Sequence, residues 1–223
     1  MTRGVAIVGV GGLGAPAAAA LAAAGVARLV LVDHDVVETS NLPRQPLYGC
    51  HDPGRPKAEV AAVRLRRAHP EVRVEARVAR VEPGNARELL GDADAIVDGT
   101  DGLDAKVLLN ETALALGRPL VHAGAIGLEG QLASILPRET ACLRCLFVEL
   151  PDPDEMPTCQ EAGVLGPVVG AIGLAAAREA LALGAGRRPP LADRLAIFSG
   201  RTLAWRTIEL RRNPRCPACA DAP

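Results

Sequence analysis

The hexapeptide Gly9-Val10-Gly11-Gly12-Leu13-Gly14 constrains this chain more than any other stretch. It follows the apolar run at residues 5–8 and opens the alanine-rich segment at 15–24, the pattern of a buried strand, a tight turn and a helix start. Gly9, Gly11, Gly12 and Gly14 suit such a turn because a side chain would keep a phosphate away from the N–H groups at the helix N-terminus. A second apolar run at 29–32 ends in Asp33, about 20 residues after the last glycine, where an acid at a strand tip can accept hydrogen bonds from a ribose. Strand, helix and acid in register point to a nucleotide site.

Beyond that unit, strand and helix patterns alternate, which predicts a parallel sheet covered on both faces. A polar loop at 34–45 is too long for a simple turn and is expected to line the site. Gly54-Arg55-Pro56-Lys57 introduces a helix to about residue 68 with Val60, Val63 and Leu65 inward. Lysine normally favours the other end of a helix, so Lys57 at the positive end of the dipole suggests a bound anion. Further strands are expected at 72–78, 95–97, 119–123 and 131–136, and helices at 86–90, about 104–116 and roughly 167–183. The turn Asp98-Gly99-Thr100-Asp101-Gly102 closes a central strand, where ligands gather in open α/β sheets. Two closing strands at 195–199 and 203–210 read as a hairpin around Gly200. No internal repeat or linker interrupts the 223 residues, which are expected to form one domain.

Composition narrows the partners. A formal charge of −1 and only 2% aromatic residues give neither a polyanion signature nor a stacking platform, so no nucleic-acid role is expected. Met1-Thr2-Arg3 and the Gly/Ala run superficially copy a secretory signal, but the glycine turn would break its apolar region. The apolar run at 164–177 stops at Arg178-Glu179 and reads as too short to span a bilayer. A cytoplasmic protein is expected. Four of the six cysteines form two C-x-x-C pairs, Cys142/Cys145 and Cys216/Cys219, which favour a structural zinc site with four thiolates over disulfides.

These motifs, in this order, resemble the ThiF/MoeB/HesA family, the bacterial relatives of ubiquitin-activating enzymes. The resemblance is carried by residues 9–14, Asp33-His34-Asp35, Ser40-Asn41-Leu42-Pro43-Arg44-Gln45, Gly54-Arg55-Pro56-Lys57, Asp98-Gly99-Thr100-Asp101, both cysteine pairs and the stretch from Cys159 to Pro167. It implies a Rossmann-like α/β sheet, mostly parallel with antiparallel C-terminal strands, with helices on both faces, a small zinc knuckle and a crossover loop at about 148–165. It also implies an adenylyltransferase that uses ATP and Mg2+ to adenylate the C-terminal glycine of a ubiquitin-like sulfur-carrier protein ending in Gly-Gly. By position, Gly12 would lie against the phosphates, Asp33 would hold the ribose, and Asn41, Arg44, Gln45 and Lys57 would line the triphosphate. Asp101 would coordinate magnesium, with a helix cap as its structural alternative. Cys159 aligns with a cysteine that some members link covalently to their carrier.

A homodimer follows from the resemblance alone. Many members carry, ahead of the first strand, a segment whose arginine reaches the partner's nucleotide. Here Met1-Thr2-Arg3 lead directly into the strand, so either another cation serves or the phosphoryl chemistry is weakened. No rhodanese-like extension follows Cys219, so a separate persulfide donor is expected. The family pattern more often has asparagine where this chain has Gly102 and glutamine where it has Pro43. Two other readings compete: a non-catalytic member that retains nucleotide and zinc, and a nicotinamide-dependent oxidoreductase, which would leave Arg44, Lys57 and the cysteine pairs unused.

Overall fold

The computed structural model describes residues 4–147, 149–150 and 163–220. Its centre is an eight-stranded sheet: β1 (Gly4–Val8), β2 (Arg28–Val32), β3 (Arg73–Arg77), β4 (Ala95–Asp98), β5 (Leu120–Ile126), β6 (Glu129–Ile135), β7 (Arg194–Ser199) and β8 (Ala204–Glu209). The strand order is β3-β2-β1-β4-β5-β6-β7-β8. Strands β1 to β5 pair in parallel and β5 to β8 antiparallel. The helices are α1 (Gly14–Ala23), α2 (Lys57–Ala68), α3 (Ala86–Leu90), α4 (Leu103–Leu116), α5 (Leu143–Leu146) and α6 (Gly166–Gly184), with a 3₁₀ segment at Thr39–Arg44.

Alternation along the strands divides the core in two. Val5, Ile7, Leu29 and Leu31 face a cluster with α1, α2 and α6, whereas Ala6, Val8, Val30 and Val32 face α3, α4, α5 and the cysteines. Strands buried on both faces in this way read as unbroken apolar runs. Helices α1 and α6 cross closely at Gly173, where a Cβ would come within 2.4 Å of the Leu13 carbonyl. Only a glycine allows that approach.

Three expectations need correction. Val63 does not point inward: it is 54% exposed, and the buried face of α2 is Ala58, Ala61, Ala62 and Leu65 with Val60 beside it. A helical stripe takes i, i+3, i+4 and i+7, and Val63 falls off that stripe. Strands β5 and β6 run longer than 119–123 and 131–136, because Gly127 at φ +56° closes a tight turn between them. Gly130 reads as loop in sequence, yet belongs to β6 because Ile172 of α6 occupies the space its Cβ would fill, at 2.5 Å. Finally, the apolar run does not end at Arg178-Glu179 but continues along α6, whose span of Gly166–Gly184 matches the helix expected at 167–183. Its 19 residues are long and apolar enough to cross a membrane by length and composition, but half of it is buried against the sheet and α1. Glu179 is fully buried there, accepting from Ser134 Oγ and the Leu191 N–H.

Candidate functional site

The site forms where the strand order reverses, between β1 and β4, at their carboxyl ends. Gly9 leaves β1 at φ +82°, and a Cβ there would meet the Gly99 carbonyl at 2.8 Å. The glycine turn and the turn after β4 therefore pack directly together. Helix α1 begins at Gly14 with no side-chain cap; the Ala15 and Ala17 N–H groups donate to the Gly11 and Leu13 carbonyls and Pro16 has none, so the positive end of the dipole is presented through the glycine turn itself. The N-terminal end of α6 closes the other side. A Cβ on Gly12 would sit 3.2 Å from Val169, and one on Gly166 would sit 2.8 Å from the Pro43 carbonyl. The glycine turn, the 3₁₀ segment and the start of α6 thus share one surface.

Asp33, at the tip of β2, accepts hydrogen bonds from the Val10 N–H (2.7 Å) and the Asp35 N–H (2.8 Å). Burial pushes its carboxyl up, while those N–H groups and the Lys57 charge pull the other way. Lys57 is the first residue of α2 and is buried, with its ammonium 2.8 Å from Asp35 Oδ2. Partial burial opposes the Asp35 charge, but the Lys57 hydrogen bond and field hold that carboxyl below its ordinary range. Tyr48 ties the two halves together, its hydroxyl donating to the Val10 and Lys57 carbonyls.

The 3₁₀ segment carries Asn41 and Arg44, and Gln45 caps its end. Arg44 is half-buried and donates to the Ser40 carbonyl at 2.9 Å. Gln45 is buried beside Gly11, its Nε2 3.5 Å from where a Cβ would stand, and its Oε1 finds no partner among the described residues. Asp101 is exposed in the turn 98–102. It is not a helix cap: α4 starts after Gly102 without a side-chain cap, so the structural alternative for this carboxylate falls away. Cys159 lies outside the described residues.

Sequence reasoning missed a buried network behind that turn. Asp98, fully buried, accepts from Thr100 N–H (3.0 Å), Thr100 Oγ1 (2.7 Å), Lys106 Nζ (3.1 Å) and His122 Nδ1 (3.0 Å). Burial opposes its charge, but Lys106 and then His122 and Thr100 more than offset this and bring it down to about 2. Lys106 also donates to the Ala123 carbonyl at 2.6 Å, and His122 Nε2 lies 3.2 Å from Gln131 Nε2. With Gln131 donating, His122 is the Nδ1–H tautomer; burial lowers its pKa below the ordinary histidine value. The available signal was a histidine inside the otherwise apolar strand β5.

On the opposite face of the sheet the four paired cysteines converge, with Sγ atoms all within 4.8 Å of one another. Neighbouring sulfurs stand 3.4, 3.6 and 3.9 Å apart. A tetrahedral zinc with Zn–S about 2.3 Å places its ligands about 3.8 Å apart, so the donor set fits the ion. Burial, with Cys145 nearby, pushes the Cys142 thiol up strongly, and burial raises Cys219 to about 11. Four thiolates could share this space only around a cation. The Asn213 N–H donates to Cys145 Sγ and the Ala218 N–H to Cys216 Sγ.

Comparison with known proteins follows the same lines. The chain is 42% identical to the SAMP-activating enzyme E1 of Haloferax volcanii, over 97% of this chain and 80% of that protein. It is 42% identical to a sulfur carrier protein adenylyltransferase of Thermus thermophilus, over 98% and 83%. It is 41% identical to the sulfur carrier protein ThiS adenylyltransferase of Escherichia coli, over 98% and 86%. Among solved structures, E. coli MccB with ATP superposes with a TM-score of 0.85 at 20% identity, over 97% of this chain and 67% of that one, a likeness of fold. A nucleotide-type turn, a convergent cysteine quartet and a family model matched over residues 2–218 converge on one assignment: the chain belongs to the ThiF family.

Proposed function

We propose that this protein is an adenylyltransferase that uses ATP to activate the C-terminal carboxylate of a ubiquitin-like sulfur-carrier protein. The observation that carries this reading is the junction of the glycine turn with Lys57 and the turn 98–102 at the strand-order reversal. The names and coverage of the relatives from Thermus and Escherichia support it.

In this reading the carrier's terminal carboxylate attacks the α-phosphorus. A P–O bond to the acyl oxygen forms as the bond to pyrophosphate breaks, giving an acyl adenylate. Two anions must approach, and charge builds on the leaving pyrophosphate. Lys57 and Arg44 are the fixed cations for that charge, and the glycine turn, at the positive end of the α1 dipole, receives the phosphates. No general base is required, because the nucleophile is ionised at neutral pH. Asp33 accepts from the ribose, with Asn41 and Gln45 lining the nucleotide. Mg2+ would be held by Asp101, whose exposed, uncapped carboxylate suits a hard cation, and would neutralise phosphate charge. Zn2+ would be held by Cys142, Cys145, Cys216 and Cys219 in a closed structural site.

The carrier is expected to end in Gly-Gly and to receive sulfur from a separate persulfide donor. A cytoplasmic homodimer is the accompanying assembly, and Cys159 is a candidate thiol for a covalent carrier link. The test is ATP–pyrophosphate exchange with and without a Gly-Gly-ending carrier. Carrier-dependent exchange supports the reading. Bound ATP without exchange, with every carrier offered, replaces it with a non-catalytic one.

A further inference from the structure

Asp98, Lys106 and His122 have no part in the chemistry above, although they lie directly behind the turn that carries Asp101. Asp98 is fully buried, and its two oxygens are occupied by Thr100, Lys106 and His122, so it has nothing left to offer a metal. Lys106 directs its ammonium at both Asp98 oxygens and the Ala123 carbonyl, which uses its three protons and leaves none for a phosphate. What the network does hold is chain. Asp98 grips Thr100 through both its N–H and its hydroxyl, closing the start of the turn. Lys106 sits in the first turn of α4, with its N–H on the Gly102 carbonyl, and so fixes the end of the same turn to β4 and β5. Gly9 blocks the remaining side, since Gly99 and Thr100 already lie against it.

A buried ion pair of this kind stabilises a fold little better than apolar residues of the same shape. Its distinct capacity is to select one arrangement of the groups it joins. Here those groups bracket Asp101 on both sides.

We propose that Lys106 and His122 are positioning residues for metal–nucleotide binding: by gripping Asp98 from α4 and β5, they fix the 98–102 turn and hold the Asp101 carboxylate at the metal–triphosphate position. The proposal rests on the functional reading above, and it concerns binding rather than turnover.

The test uses Mn2+ as the probe, its free ion followed by electron paramagnetic resonance with ATP present, alongside ATP affinity measured in EDTA. The variants are Lys106→Met and Asp98→Leu/Lys106→Met, the second removing both buried charges so that a folded protein remains to be measured. For both, Mn2+ affinity in the presence of ATP is expected to fall about tenfold or more, because a misplacement of about 1 Å is costly at such a site. Metal-free ATP affinity should be nearly unchanged, and Lys106→Arg should restore much of the loss. Unchanged Mn2+ affinity in a folded variant overturns the proposal, as does an equal loss of metal-free ATP affinity. A wild-type chain that binds no Mn2+ with ATP overturns both this proposal and the functional reading beneath it.

Discussion

Lys57 stands where a lysine is least comfortable, at the N-terminal end of a helix with its side chain buried. Asp35 offsets that discomfort, and in the proposed reading the bound triphosphate would take over the role. Because Asp35 is half exposed, the pair contributes little to stability. Lys57→Ala is therefore expected to fold normally and to lower the ATP–pyrophosphate exchange rate by about two to three orders of magnitude. An exchange rate within a few-fold of wild type would remove Lys57 from the phosphate site. Arg44, Lys57, Asp33 and Asp101 could be named as candidates from the sequence because each lies in a short motif with local spacing. Lys106 and His122 could not, because their meaning depends on Asp98, eight and 24 positions away, and on burial created only by the closed sheet. Asp101 shows the converse: its motif left a cap or a metal open, and the uncapped start of α4 decides against the cap.

At the scale of elements, the network joining β4, α4 and β5 makes stability depend on pH. The folded protein holds His122 neutral, with its pKa below 6.5, whereas the unfolded chain takes up a proton near that value. His122 thus contributes stability above pH 6.5 that is lost as the pH falls below it, by up to about 1.4 kcal/mol per pH unit. Asp98 behaves alike at lower pH: its contribution persists above 3.8 and disappears toward about 2. His122→Gln should flatten the decline in denaturant midpoint between about pH 6.5 and 5, and an unaltered slope would contradict the assignment. The cysteine site ties α5 to a segment 74 residues away near the C-terminus. Cys216→Ser is expected to abolish retained zinc, read by atomic emission, and to lower the thermal midpoint by about 5 °C or more. Zinc retained at the wild-type level would rule out the quartet as its site. The element pattern was legible because 3.6-residue and two-residue periods mark helices and strands. The exceptions were Val63, one step off an alanine-built stripe too weak to fix the helix phase, and Gly130, whose place in β6 depends on Ile172 from a distant helix.

At the scale of the molecule, one sheet carries two sites on its two sides. The glycine turn, α2 and α6 gather around the nucleotide end, and the cysteine quartet closes the opposite layer. Paired C-x-x-C motifs and a strand–turn–helix fingerprint announced both, while the sheet's strand order emerged only from long-range pairing. The central claim is that the chain transfers AMP to a carrier's C-terminus. Intact mass spectrometry of a Gly-Gly-ending carrier, after incubation with this protein and Mg-ATP, tests it most directly. A carrier heavier by one adenylyl group is expected, and the mass gain is lost in the Lys57→Ala variant. A carrier of unchanged mass, with ATP bound by the protein, would contradict the claim.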